Sequence, residues 1–253
     1  MKKFLLILLM IGLVVCLLVG CSGVTPPPDG EEGEGEGEEE VTRVVLIELF
    51  NTDGCAECAV VEPILEEIAV DSDYNRDKLV FVEEAGWGAY STPETVARYN
   101  WYFLSASDRS TPNILINGLN KRYHGSAGIT KAVLTSQIDA QSNLEAKIKI
   151  TATRNTDAAS SIISGNVTNI SASDLSNLVV TLMTYKDRGQ EGFKYSVTNI
   201  VTEEIGSLTS FGTYAFSISV DEPYWVGNGL HGAVLVQETA TSYKEVLQVL
   251  YVE

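Results

Sequence analysis

Arg43 to Phe50 reads R-V-V-L-I-E-L-F, and Asn51-Thr52-Asp53-Gly54 then leads into Cys55-Ala56-Glu57-Cys58. The first segment is a nearly continuous apolar run broken by one acid, Glu48. A strand buried on both faces of a parallel sheet has that pattern. The next four residues are turn formers. From Cys55 to Val70 the apolar residues Val60, Val61, Ile64, Leu65 and Ile68 recur at helical spacing. Two cysteines three residues apart therefore stand where a buried strand hands over to a helix.

The pattern continues outward from there. Lys78 to Val82 reads as a second buried strand, and Glu83-Glu84-Ala85-Gly86-Trp87-Gly88-Ala89-Tyr90 as a loop leading from it. Pro93 to Ala106 reads as a helix with proline in its first turn. Asn113 to Ile116 is a third strand, Asn117-Gly118 a hairpin turn, Lys121 to His124 a fourth strand, and Ile129 to Ile138 a closing helix. The C-terminal ends of parallel strands share one edge of a sheet. The loop after the second strand should thus flank the cysteines. Trp87 and Tyr90 are candidates to line a groove for an extended peptide there, or to pack against the following helix.

This order, with C-x-x-C at the first strand-to-helix junction, resembles the thioredoxin-like family over about Val41 to Ser142. Three features carry the resemblance. They are V-V-L-I-E-L-F followed by C-A-E-C, then Pro63 five residues after Cys58, then Thr111-Pro112 opening the third strand. Thr111-Pro112 looks like the cis-proline that faces the cysteine pair in this family. The E-L-F-x-x-x-G-C start also resembles secreted thioredoxin-like proteins that include outer-membrane lipoproteins. The resemblance implies a redox-active disulfide, Cys55–Cys58, and no other cofactor. It further implies a carboxylate behind the pair that takes the resolving thiol's proton. Glu48 is the candidate, one residue further from the first cysteine than in thioredoxins. Strand alternation alone leaves it equally an outward-facing side chain.

The chemistry needs an attacking thiolate, a second thiol and access. Cys55 opens the helix, where unpaired N–H groups and the helix dipole favour negative charge. Cys58, three residues on, shares its side. Cys55 is thus assigned as nucleophile and Cys58 as resolving thiol. Glu57 between them and Asp53 nearby oppose the thiolate, which biases the pair toward reduction or isomerisation. The family's usual aromatic residue before the first cysteine is replaced by Gly54. Structural zinc needs four ligands, and only His124 and His231 remain, so no metal is expected. A purely structural disulfide is the competing reading, although so short a loop is stabilised little by closure.

From Leu144 helical spacing vanishes. Alternating segments recur at Ala146–Thr153, Ser161–Val167, Leu178–Tyr185, Tyr195–Val201, Thr213–Val220, Ala233–Gln237 and Val246–Val252. Seven such segments parted by Gly, Asn, Asp and Ser turns read as an immunoglobulin-like β-sandwich. The fold expected from sequence is therefore an α/β thioredoxin-like domain, 41–142, followed by an all-β sandwich, 143–253. Tyr224-Trp225 is either a binding tip of that sandwich or core.

The first forty residues are of another kind. Lys2 and Lys3 precede an apolar run, Phe4 to Val19, with the layout of a signal peptide. Leu18-Val19-Gly20-Cys21 resembles the lipobox of bacterial lipoproteins, which implies lipid on Cys21 and removal of residues 1–20. Residues 21–40, with Pro26-Pro27-Pro28 and a Glu/Gly run, read as an acidic extended tether. Of four cysteines, Cys55 and Cys58 alone would remain as thiols, outside the cytoplasm where disulfides persist. The chain holds 34 acids against 17 bases, a formal charge of −17, which excludes a nucleic-acid partner. The expected function is thiol–disulfide exchange on exported proteins by a membrane-anchored lipoprotein. Electrons would come from another redox protein, since no flavin or nicotinamide fingerprint is present. The alternative is a redox-inactive surface lipoprotein that serves binding or assembly.

Overall fold

The computed structural model describes residues 41–155, 161–190, 192–220 and 229–252. The expected signal peptide, Cys21, the expected tether and Tyr224-Trp225 lie outside the described residues. The N-terminal part runs β1 (Val45–Thr52), α1 (Cys58–Ala69), β2 (Leu79–Trp87), α2 (Pro93–Tyr102), β3 (Asn113–Ile116), β4 (Lys121–His124) and α3 (Lys131–Ser142). Seven strands follow: β5 (Ile148–Asn155), β6 (Ser161–Asn169), β7 (Leu175–Lys186), β8 (Ser196–Leu208), β9 (Thr213–Val220), β10 (Leu230–Glu238) and β11 (Val246–Val252).

β1 lies parallel to β2 and antiparallel to β3. Both of its faces are covered, which is why its sequence from Val45 to Phe50 is apolar but for Glu48. Val45, Ile47 and Leu49 pack on Val61, Leu65 and Ile68 of α1 and on Leu134 and Ile138 of α3. Phe50, on the opposite face, packs on Tyr99 and Tyr102 of α2 and on Phe103. α2 starts in a reciprocal cap, with Thr92 and Thr95 each bonding the other's backbone N–H, and with proline at its N-terminus where the missing N–H costs nothing.

The expected pair of separate domains is not what forms. The strands of both halves join one eight-stranded mixed sheet, ordered β11-β10-β7-β8-β2-β1-β3-β4, and β5-β6-β9 make a second sheet. Among the described residues there are three α-helices, all before Asn143. Residues 41–253 are a single compact unit. The seven later strands stand close to where periodicity puts them. They do not build a free-standing sandwich, because β7, β10 and β11 have buried residues on both faces. One face of β7 and β10 packs on the small sheet, with Val180, Leu182, Val234 and Val236 meeting Ile163, Phe216 and Ile218. The other face, Met183, Tyr185, Ala233 and Leu235, meets Leu46, Val80 and Val82 of β1 and β2. β2 and β8 meet in parallel at Glu83 and Ser196.

Polar contacts pin the same junction. Arg43 Nη2 donates to Glu245 Oε1 at 2.7 Å and to the Val246 carbonyl at 2.8 Å. Asn117, whose Oδ1 accepts the Leu46 N–H at 2.8 Å, takes the Val246 N–H on its carbonyl at 3.2 Å. The β3–β4 turn is pressed against the β10–β11 connection. A Cβ at Gly118 would lie 2.3 Å from the Lys244 carbonyl oxygen, and its φ of +88° already favours glycine. The second half of the chain is thus built onto the first.

β2 also runs further than expected. The segment read as a loop from Glu83 continues the strand to Trp87, with Glu83 and Glu84 both buried. Two adjacent acids in an apolar strand look like its end in sequence. Here Glu83 accepts the Tyr195 N–H, and Glu84, on the opposite face, stands 3.4 Å from Arg98.

Candidate functional site

Asp53 and Gly54 turn the chain after β1, with Gly54 at φ +74°. Cys55 follows in the turn, and α1 starts at Cys58 rather than at Cys55. The carbonyl of Cys55 nonetheless accepts the N–H of Ala59 at 3.2 Å, so the cysteine already belongs to the helix's first hydrogen-bonded turn. Cys55 and Cys58 form a disulfide with their Cα atoms 5.2 Å apart.

The two sulfurs are not equivalent. Cys58 is 1% exposed, whereas Cys55 is half-buried. Cys55 Sγ accepts the backbone N–H of Cys58 at 3.1 Å and the hydroxyl of Thr111 at 3.5 Å. The Thr111 carbonyl lies 3.7 Å from the same sulfur. The Thr111–Pro112 peptide is cis, and Pro112 is buried beside it, its carbonyl held by Gly125 N–H at 2.9 Å. An N–H at a helix N-terminus and a hydroxyl, both aimed at Cys55, would stabilise negative charge there once the disulfide is reduced.

Cys55 opens onto a cavity of about 330 Å³, walled by Asp53, Ala59, Glu62, Pro63 and Phe193. Phe193 comes from the β7–β8 connection, so the β-rich half contributes to the site. Neither aromatic residue expected there lines the cavity. Tyr90 stacks at 4.5 Å on Phe193 and backs that wall. Trp87, 43% exposed, ends β2 and meets Tyr99 edge-on at 5.8 Å.

Glu48 is elsewhere. Alternation along β1 turns it to the α2 face, where it is buried and ion-paired with Arg98 Nε at 2.6 Å and accepts the Tyr102 hydroxyl at 2.8 Å. α1 and the cysteines sit on the other face with Ile47 and Leu49. The carboxylate near the pair is Glu62, one helical turn beyond Cys58 on the buried stripe of α1. Its Oε1 accepts from Asn51 Nδ2 at 3.0 Å, and Asn51 Nδ2 also donates to the Gly192 carbonyl at 2.9 Å. Gly192, at φ +80°, lets the backbone of the β7–β8 connection close onto this carboxylate, since a Cβ there would stand 2.2 Å from Oε2. An acid on the apolar stripe of α1 was a readable signal for Glu62. Phe193 and Gly192 carried none, because their approach depends on the long-range packing of β8 against β2.

Two more acids lie behind Glu62. Glu66 pairs with Lys194. Glu83 Oε2 accepts the Tyr195 N–H at 2.7 Å. Burial, then repulsion by Glu62 and Glu66, pushes the Glu83 carboxyl up to about 8. Glu57, between the cysteines, is exposed and accepts the N–H of Ser126 at 3.1 Å. Among the described residues no group of three His, Cys, Asp or Glu is placed to hold a metal ion.

With this geometry in view, comparison with known proteins speaks to the fold. No protein-family model and no curated protein sequence matches the chain. Among solved structures, HBP35 of Porphyromonas gingivalis is similar at a TM-score of 0.65 and 10% identity. That similarity covers 82% of this chain and 74% of that one. A structural-genomics protein of Agrobacterium tumefaciens is similar at a TM-score of 0.54 and 16% identity, covering 83% and 94% of the two chains. At these identities the likeness is one of fold alone.

Proposed function

We propose that the protein carries out thiol–disulfide exchange on exported proteins, with Cys55 attacking and Cys58 resolving. The resemblance to the thioredoxin-like family belongs to this proposal at the cysteine pair and the Thr111–Pro112 turn. The observation that carries it is the asymmetry of the pair: Cys55 faces a cavity with two donors on its sulfur, and Cys58 is enclosed.

In the reduced protein, the Cys55 thiolate attacks one sulfur of a client disulfide. A Cys55–client bond forms, the client's sulfur–sulfur bond breaks, and the departing client thiolate takes a proton. Cys58 then loses its proton and attacks Cys55 Sγ. The Cys55–Cys58 bond closes and the second client thiolate leaves. Two electrons have passed from the dithiol to the client, and a separate redox protein must return them. Isomerisation is the case in which a client thiol, not Cys58, attacks the mixed disulfide.

Asp53 and Glu57 flank the first cysteine in sequence, and acids there oppose the charge its sulfur must take, which makes the dithiol less acidic and a better electron donor. Lipidation of Cys21 would hold this chemistry at a bacterial membrane, on its extracytoplasmic side. Equilibration of the Cys55–Cys58 pair with glutathione buffers tests the direction. A reduction potential at about −200 mV or below is expected, and one near about −120 mV, that of a strong oxidant, would overturn the reducing bias.

A further inference from the structure

On the α2 side of the sheet, away from the cysteines, a groove of about 400 Å³ runs between α2 and strands β7, β8 and β10. Small-molecule sites typically enclose about 300 to 1,000 Å³. Its walls are apolar, chiefly Trp101, Val179 and Ile200, and its polar floor is Arg98 with Gln237. Arg98 is 8% exposed and Gln237 fully buried.

The floor has one open valence. Arg98 Nε pairs with Glu48 at 2.6 Å, and Nη2 donates to the Tyr102 hydroxyl at 3.0 Å and to Gln237 Oε1 at 3.3 Å. Gln237 is spent on holding this arrangement, since its Nε2 donates to Tyr102 Oη at 2.7 Å and to the Lys244 carbonyl at 2.6 Å. Among the described residues Nη1 of Arg98 has no hydrogen-bond partner. A guanidinium has only donors, so whatever meets that edge must be an acceptor.

A charged donor favours a charged acceptor. Arg98 is the one cation among the residues that line the groove. Glu48 pairs with its Nε, and Glu84 lies 3.4 Å from the same atom with both oxygens lacking a hydrogen-bond donor. Burial and the adjacent Glu48 hold the Glu84 carboxyl well above the usual carboxylate range. Glu94 lies at the rim, half-exposed and screened by solvent.

We propose that this groove binds a small amphipathic carboxylate, its head on Arg98 and its apolar body against Trp101, Val179 and Ile200. A charge-assisted hydrogen bond from Nη1 to a carboxylate suits this edge, and the site shares no lining residue with the cysteine cavity. The test is calorimetric titration of the full-length protein in lipid nanodiscs with decanoate below its micelle-forming concentration, blanked against empty nanodiscs. Saturable binding is expected, weakened at least tenfold for decanol and at least tenfold in each groove-filling variant, Ile200→Trp and Ala97→Trp. Thermal unfolding checks that each variant is folded, and a variant that is not is set aside for the other. No saturable decanoate binding, equal affinity for decanol, or undiminished binding in the folded variants would overturn the proposal.

Discussion

Cys55→Ser is expected to bring the reduction of insulin disulfides by this protein to the uncatalysed rate, a fall of roughly a hundredfold or more. Serine keeps the size of the side chain and the turn but supplies no nucleophile at neutral pH. Cys58→Ser should behave differently. Cys58 is enclosed, so its loss leaves the first attack by Cys55 intact and removes only the second. That variant should consume one client disulfide per molecule in a fast phase and then stall. Equal, partial activities in the two variants would argue against the assigned roles.

The second large effect concerns stability. Glu83 is buried and its folded-state carboxyl titrates at about 8, against an ordinary value of 4.5. Between those values the folded state holds a proton that the unfolded chain has released. Stability therefore falls as pH rises through this window. A shift of that size corresponds to about 5 kcal/mol across the range. Glu84, also raised by burial and by Glu48, acts in the same direction. Glu83→Gln keeps an oxygen for the Tyr195 N–H and removes the titration. Urea unfolding of the oxidised protein at pH 5 and pH 8.5 should show a much smaller loss in the variant than in the wild type. Parallel losses in the two proteins would place the pH dependence elsewhere.

Much of the local structure was legible in the sequence. β3 and β4 fall where the Asn117-Gly118 turn put them, and all seven later strands occur near their expected places. The Cys55–Cys58 pair and Thr111–Pro112 do come together. What periodicity could not convey was which surface each strand face would meet. Leu178 to Tyr185 is apolar on both faces because a second sheet covers one and the β1–β2 half covers the other. Read alone, it is simply a good strand. Glu48 shows the same limit at the level of one residue. Its place in the strand was right, but the face it took depended on Arg98 arriving from α2, fifty residues away. Glu83 and Glu84 looked like the end of a strand because paired acids rarely continue one, and only the assembled layers give them partners. Phe193 reaches the cysteine cavity from the far half of the chain, by way of a single parallel bridge between β2 and β8.

The most direct test of the exchange reaction is covalent trapping. Cys58→Ser protein in intact bacterial cells should accumulate mixed disulfides through Cys55 with exported proteins, seen as reductant-sensitive high-mass species. They should be absent when Cys55 is also replaced. Failure of Cys58→Ser to trap any partner, or trapping that persists without Cys55, would contradict the assignment of Cys55 as the attacking thiol.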